Sequence, residues 1–156
     1  IAYWKGMIAP GRVSDGLFDL MDLFNTSLDL AGVKDPLPTD RYFDGVNQTS
    51  FLLADNGESE RENVYMWMGS TFAAMRMREY KIHTKVIIPQ ANFLWIDMAT
   101  MNDVGTAPWL FNLYIDPKEE YAVGHRMSPW LATMGAEMKA HGATFAKFPP
   151  KKVGLE

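Results

Sequence analysis

The sequence predicts an α+β fold, a four-stranded antiparallel sheet with a C-terminal helix packed on it, preceded by a strand–helix segment. Three observations carry this. The runs "ENVYMWMG", "STFAAMRMREY" and "YKIHTKVII" are strand-like and are split by a Gly69-Ser70 turn and a polar Arg78-Glu79 turn. Short turns make antiparallel neighbours, so these runs form a three-strand meander. "LFNLYI" at 110–115 adds a fourth strand. Beyond it Met127, Trp130, Leu131, Met134 and Met138 keep helical spacing, an apolar stripe suited to lie on the sheet.

In chain order, residues 1–5 read as a buried strand, closed by a Lys5-Gly6 turn and followed by a second turn at Pro10-Gly11. Ser14 or Asp15 caps a helix in which Leu17, Met21, Phe24, Leu28 and Ala31 share one face, and Gly32 supplies its left-handed stop. Residues 34–61 form an irregular connector punctuated by Pro36, Pro38, Gly45 and Gly57, with Phe51-Leu52-Leu53 as a short apolar anchor. After the meander, 87–109 read as a long loop of aromatic and small residues. Ser128-Pro129 opens the last helix and Gly142 ends it, leaving "KFPPKKVGLE" extended. The predicted organisation is therefore 1–33, 34–61 as connector, and 62–156 as a C-terminal α+β subdomain.

At 156 residues the chain suits one domain and can bury a real core. Its 47% hydrophobic and 22% charged residues exclude a disordered chain. No apolar run approaches the roughly 18 residues that span a bilayer, so no membrane partner is expected. A net charge of −4 offers no basic footprint, so no nucleic-acid partner is expected either. Cysteine is absent, which removes disulfides, thiolate metal sites and a cysteine nucleophile together. With no initiator Met, the chain reads as truncated at its N-terminus, and the lack of a signal peptide leaves the compartment open.

Several stretches together resemble the C-terminal portion of the sulfatase family, the arylsulfatase-type members of the alkaline-phosphatase-like superfamily. "YWKGMIAPGRVSDGLFDLMDLFNTSLDLAGV" is similar to that family's strand, W-x-G turn, P-G turn and Asp-bearing helix ending in A-G. "DRYFDGVNQTSFLL" resembles its D-G-x-x-x-x-x-x-L anchor, "EYKIHTK" its K-x-H strand, and "LFNLYIDPKEEYAV" its L-x-x-L-x-x-D-P-x-E segment. The resemblance makes residues 1–33 a remnant of the catalytic α/β domain. It also implies hydrolysis of a sulfate ester by the intact enzyme, on a sulfated small molecule or glycan.

The chemistry implied is a formylglycine nucleophile made from Cys or Ser in a [Cys/Ser]-x-Pro-x-Arg motif, with calcium held by Asp and Asn. Metal and cations stabilise the transferring oxygens while a positioned nucleophile attacks. The family places both upstream of the matched segment. This chain has no Cys, and none of its serines begins Ser-x-Pro-x-Arg. Ile8-Ala9-Pro10-Gly11-Arg12 fits the x-Pro-x-Arg frame, but Ile is no nucleophile. The chain is thus expected to hold no catalytic or metal-ligating residue and to be inactive alone. Its partner is expected to be the missing N-terminal catalytic part, or a second copy covering the apolar face left open. The alternative is a non-catalytic binding or assembly module that reuses the architecture.

Among polar candidates, Lys81, His83 and Lys85 alternate along one strand and so point to one face, a strip able to attract a sulfate ester. His83 draws most interest as a neutral-pH switch beside lysines. Arg76 and Arg78 share a parity on the preceding strand and are placed opposite. The competing reading is an ordinary solvated sheet face. Asp15, Asp19 and Asp22 share a helix face and evoke a hard cation, but a regular helix lacks the extra carbonyl ligands. "DNGESERE" at 55–62 lacks the EF-hand rhythm and reads as a turn. Asn92, Phe93, Trp95 and Trp109, in or beside the long loop, either shape a pocket or pack on the sheet. His125 and His141 read as loop and helix-end residues.

Overall fold

Within the computed structural model the described residues are 1–35, 37–69, 71–87, 101–104, 107–123 and 128–149. They fall into two units, Ile1–Glu62 with Thr144–Glu156, and Asn63–Ala143. In chain order the elements are α1 (Asp22–Leu30), α2 (Thr49–Leu53), β1 (Asn63–Met68), β2 (Thr71–Met77), β3 (Tyr80–His83), β4 (Lys85–Ile87), β5 (Met101–Asp103), β6 (Trp109–Asn112) and α3 (Ser128–Lys147).

In the second unit, β1, β2, β3 and β6 pair in that order, antiparallel throughout. This is the four-stranded sheet with a C-terminal helix that the sequence predicts. Register sets the core: Met75 faces Ile82, Ile82 faces Leu110, and Met77 faces Tyr80. Directly opposite residues share a face. These five side chains close over Met134 of α3, with Trp130, Leu131 and Met138 packed around it. Met75, Leu110 and Met134 are wholly buried. Four of the five stripe residues thus sit where their spacing puts them, and the fifth, Met127, lies outside the described residues.

Boundaries differ in ways that have physical causes. "YKIHTKVII" is two strands, because Thr84 turns back to β2: its amide donates to the Ala73 carbonyl at 2.9 Å, and its hydroxyl reaches Ala73 and Phe72. The chain then leaves the β3 ladder, and β4 pairs instead with β5 in a two-stranded sheet. The fourth strand ends at Asn112, where Tyr114 N–H donates to the Asn112 side chain and turns the chain. Gly142 does not end α3, since it lacks the positive φ that a glycine stop requires.

In the first unit, the predicted helix starts seven residues later than Asp15. Asp19 accepts from the Met21 amide at 3.2 Å, and Asp22 accepts from the Asp19 amide at 2.9 Å. That is the reciprocal pattern of a capping box, and it leads into α1. Ser14 serves a local turn instead, accepting from Gly16 N–H. The C-terminus is as predicted: Gly32 has φ +70°, and the amides of Gly32 and Val33 bond the carbonyls of Asp29 and Leu28, a Schellman motif.

Residues 1–4 form no strand and are exposed. A strand needs a ladder partner, and none stands beside them among the described residues. The apolar stripe of the predicted helix is also largely open, with Met21 and Phe24 exposed; what α1 buries is Asp22 and Thr26. These two residues explain why 1–33 and 34–61, separate in the predicted organisation, form one unit. Asp22 and Thr26 bond Val46, Gln48 and Arg61 across that supposed boundary. Phe51, inside the supposedly irregular connector, is the buried centre of α2.

Candidate functional site

The sheet face opposite α3 carries the polar candidates. Lys81 and His83 alternate with the buried Tyr80 and Ile82 on β3 and therefore project together. Both reach one carboxylate: Lys81 Nζ lies 2.6 Å from Glu119 Oε1, and His83 Nε2 lies 2.5 Å from Glu119 Oε2. The three side chains are 16%, 18% and 25% exposed. Phe111, the cross-strand partner of Lys81, meets the His83 ring edge-to-face at 5.7 Å and fixes its plane. Burial opposes ionisation of Glu119, but the hydrogen bonds and charges of Lys81 and His83 together outweigh it and hold its carboxyl below the usual range.

Glu119 comes from the connection between β6 and α3, a segment in which the sequence pattern alone points to no site. That loop is pinned repeatedly. Asp116 accepts from the amides of Glu120 and Tyr121, its own amide donates to the Asn112 carbonyl, and Val123 N–H returns to the Leu110 carbonyl at 2.7 Å. Glu119 itself has φ +58°, a left-handed conformation uncommon for a side-chain-bearing residue. A charged residue three positions past the Asp of an Asp-Pro turn is the available signal; nothing local announces its partners 36 and 38 residues away.

The remaining members of the predicted strip are dispersed. Lys85 is on β4, outside the four-stranded sheet, and pairs with Asp103. Arg76 does face Lys81 across β2–β3. Arg78 is in the intervening turn with φ +50°, not on the strand, and its carbonyl accepts from Arg76 Nε at 2.7 Å. The strip is thus one carboxylate shared by Lys81 and His83, with Arg76 beside it.

A second polar constellation lies in the first unit. Asp22, wholly buried, receives Arg61 Nε at 3.0 and 2.9 Å and Nη2 at 2.5 Å, together with the amides of Val46 and Asp19. Arg61 also donates to the Asp44 carbonyl at 2.6 Å. Burial penalises the Asp22 carboxylate, yet Arg61 and the backbone donors keep its pKa lowered. Gln48 ties the cluster to Ser59, Glu60 and Thr26. Every one of these contacts stays within the unit, so the network is a structural polar core.

The predicted acidic face accordingly dissolves. Asp15 and Asp19 are not helical, and Asp22 points inward to a guanidinium. Residues 54–57 form a turn closed by Gly57 N–H on the Ala54 carbonyl. Arg12 acts structurally, because its guanidinium donates to the carbonyls of Phe51, Leu52 and Ala54 at the C-terminus of α2 and lies over the Phe51 ring. Such carbonyls lack helix partners, so a cation there is favourable.

His141 is not a loose helix-end residue but stacks on Tyr65 at 3.7 Å and accepts from Trp67 Nε1 at 3.2 Å. Trp109 is half-exposed on β6. Asn92, Phe93, Trp95 and His125 lie outside the described residues. Among the described residues no group of three or more His, Cys, Asp or Glu side chains is placed to hold a metal ion. Nor is any described helix long and apolar enough to cross a membrane.

Comparison with known proteins bears directly on this arrangement. The family model described as the putative sulfatase AslA C-terminal domain matches residues 73–146. N-acetylgalactosamine-6-sulfatase of Mus musculus is 32% identical over 134 residues, taking in 78% of this chain and 25% of that protein. Arylsulfatase D of Homo sapiens is 26% identical over 167 residues, with 96% and 28% covered. The crystal structure of PsFucS1 sulfatase from Pseudoalteromonas sp. superposes with a TM-score of 0.88 at 51% identity, over 99% of this chain and 31% of that one. The chain spans about a quarter of the length of the curated relatives it matches.

Proposed function

The chain belongs to the sulfatase family, matching its C-terminal portion, and from that premise we propose that it serves an enzyme that hydrolyses a sulfate ester while lacking catalytic power of its own. The observation that carries the second half is compositional: without Cys or a Ser-x-Pro-x-Arg run, nothing here can become the formylglycine nucleophile. In this reading nucleophile and metal are both supplied by residues outside the chain, and no chemical step is assigned to the residues within it.

The likeness to N-acetylgalactosamine-6-sulfatases supports a sulfated sugar as substrate, with a sulfated small molecule as the other option. Lys81 and His83 are the residues proposed to meet an anionic group; Lys85, engaged with Asp103 on another sheet, is dropped from that set. The first unit supports a missing covering partner. Val13 and Leu20 are 90% and 81% exposed, and a cavity of about 840 Å³ lies among Trp4, Ile8, Phe18, Leu23 and Leu52. A catalytic part of the same enzyme, or a second copy, would cover this surface. Incubating the chain with an aryl sulfate ester and calcium tests the proposal. No turnover is expected; clear calcium-dependent turnover, with contaminating enzyme excluded, would overturn it.

A further inference from the structure

We infer that Lys81 and His83 form an oxyanion site that the chain itself occupies with Glu119, so that a sulfate group and the Glu119 side chain compete for the same two donors. This rests on the reading of Lys81 and His83 as anion-contacting residues, not on any activity of the chain. The two donors do not make independent pairs: they converge on the two oxygens of one carboxylate, at 2.6 and 2.5 Å. One edge of a tetrahedral sulfate presents two oxygens at a similar spacing, so the same donors fit either anion. Arg76, cross-strand from Lys81 on this face, adds a guanidinium beside the lysine.

Displacement is physically open. All three side chains retain solvent access. The loop does not depend on Glu119 for its shape, since Asp116 and Val123 anchor it through separate bonds. The carboxylate can therefore swing out while the loop stays. His83 remains oriented by the Phe111 ring in either state.

The test is titration of the 156-residue chain with inorganic sulfate, followed by calorimetry or amide NMR, against Glu119→Gln and the double variant Glu119→Gln/Lys81→Met. A site vacant about one-tenth of the time weakens apparent affinity about tenfold, so Glu119→Gln should bind sulfate about tenfold more tightly. Adding Lys81→Met should abolish that gain. Equal sulfate affinity of wild type and Glu119→Gln, through Lys81, would overturn self-occupation while leaving the anion site standing. Absence of binding in every protein would overturn both, without touching the hydrolase reading. Should Glu119→Gln fail to fold, the wild-type Glu119 amide should still shift saturably with sulfate and not with chloride at matched ionic strength. No shift overturns the inference.

Discussion

Replacing Arg61 with Met tests what holds the first unit together. Arg61 and Asp22 are buried to 5% and 0% exposure, and the guanidinium makes three close approaches to the carboxylate. Removing one partner of a buried pair strands the other charge, at a cost of about 3–5 kcal/mol. At about 2–4 °C per kcal/mol for a chain of this size, Tm should fall by about 6–20 °C. Replacing both partners, Asp22→Leu with Arg61→Met, often rescues such a site elsewhere. Here it should not, because the amides of Asp19 and Val46 and the carbonyl of Asp44 all lose their partner. Each of these part-buried groups left unpaired costs up to about 1–3 kcal/mol. Urea unfolding monitored by tryptophan fluorescence measures all three proteins. A double variant as stable as wild type, or an Arg61→Met cost below about 1 kcal/mol, would refute this reasoning.

Acid should lower stability by removing the charge that Glu119 shares with Lys81 and His83. Its carboxyl is more acidic folded than at its ordinary value of 4.5, so its stabilisation is complete above that value and is lost as pH falls through the lowered folded pKa. Glu119→Gln should flatten that acid limb in a pH series of thermal melts. Gly45→Ala and Gly57→Ala should each destabilise by at least about 1–3 kcal/mol, because a Cβ at either would sit 2.3 Å from a backbone oxygen, of Met21 and of Ser50. Soluble yield and Tm would read this directly. Trp67→Phe removes the donor to His141 while keeping an aromatic ring, and should cost about 1 kcal/mol in urea melts.

The second unit is legible in the sequence because its signals are local and periodic. Strand-like runs split by short turns specify the pairing, alternation over Tyr80–His83 specifies the faces of that strand, and the 3.6-residue spacing of Trp130, Leu131, Met134 and Met138 specifies the helix face. What escapes is decided at long range. Thr84 ends β3 because of carbonyls eleven and twelve residues earlier, and Lys81 and His83 find Glu119 more than thirty residues later. The first unit inverts the usual logic. Its apolar stripe predicts a buried face, yet the ion pair is inside and the stripe is open. Apolar periodicity alone does not say which face of a helix meets protein, because here the buried face is the one carrying Asp22 and Thr26. The x-Pro-x-Arg frame misleads for a related reason, since the value of Arg12 lies in three carbonyls some forty residues away.

The most direct test of the central claim is to read the coding sequence upstream of the Ile1 codon. The expected result is an open frame continuing into a [Cys/Ser]-x-Pro-x-Arg motif with Asp and Asn metal ligands, the catalytic part that this chain completes. A start codon immediately before Ile1, with no such motif in frame, would contradict it and favour a stand-alone binding module.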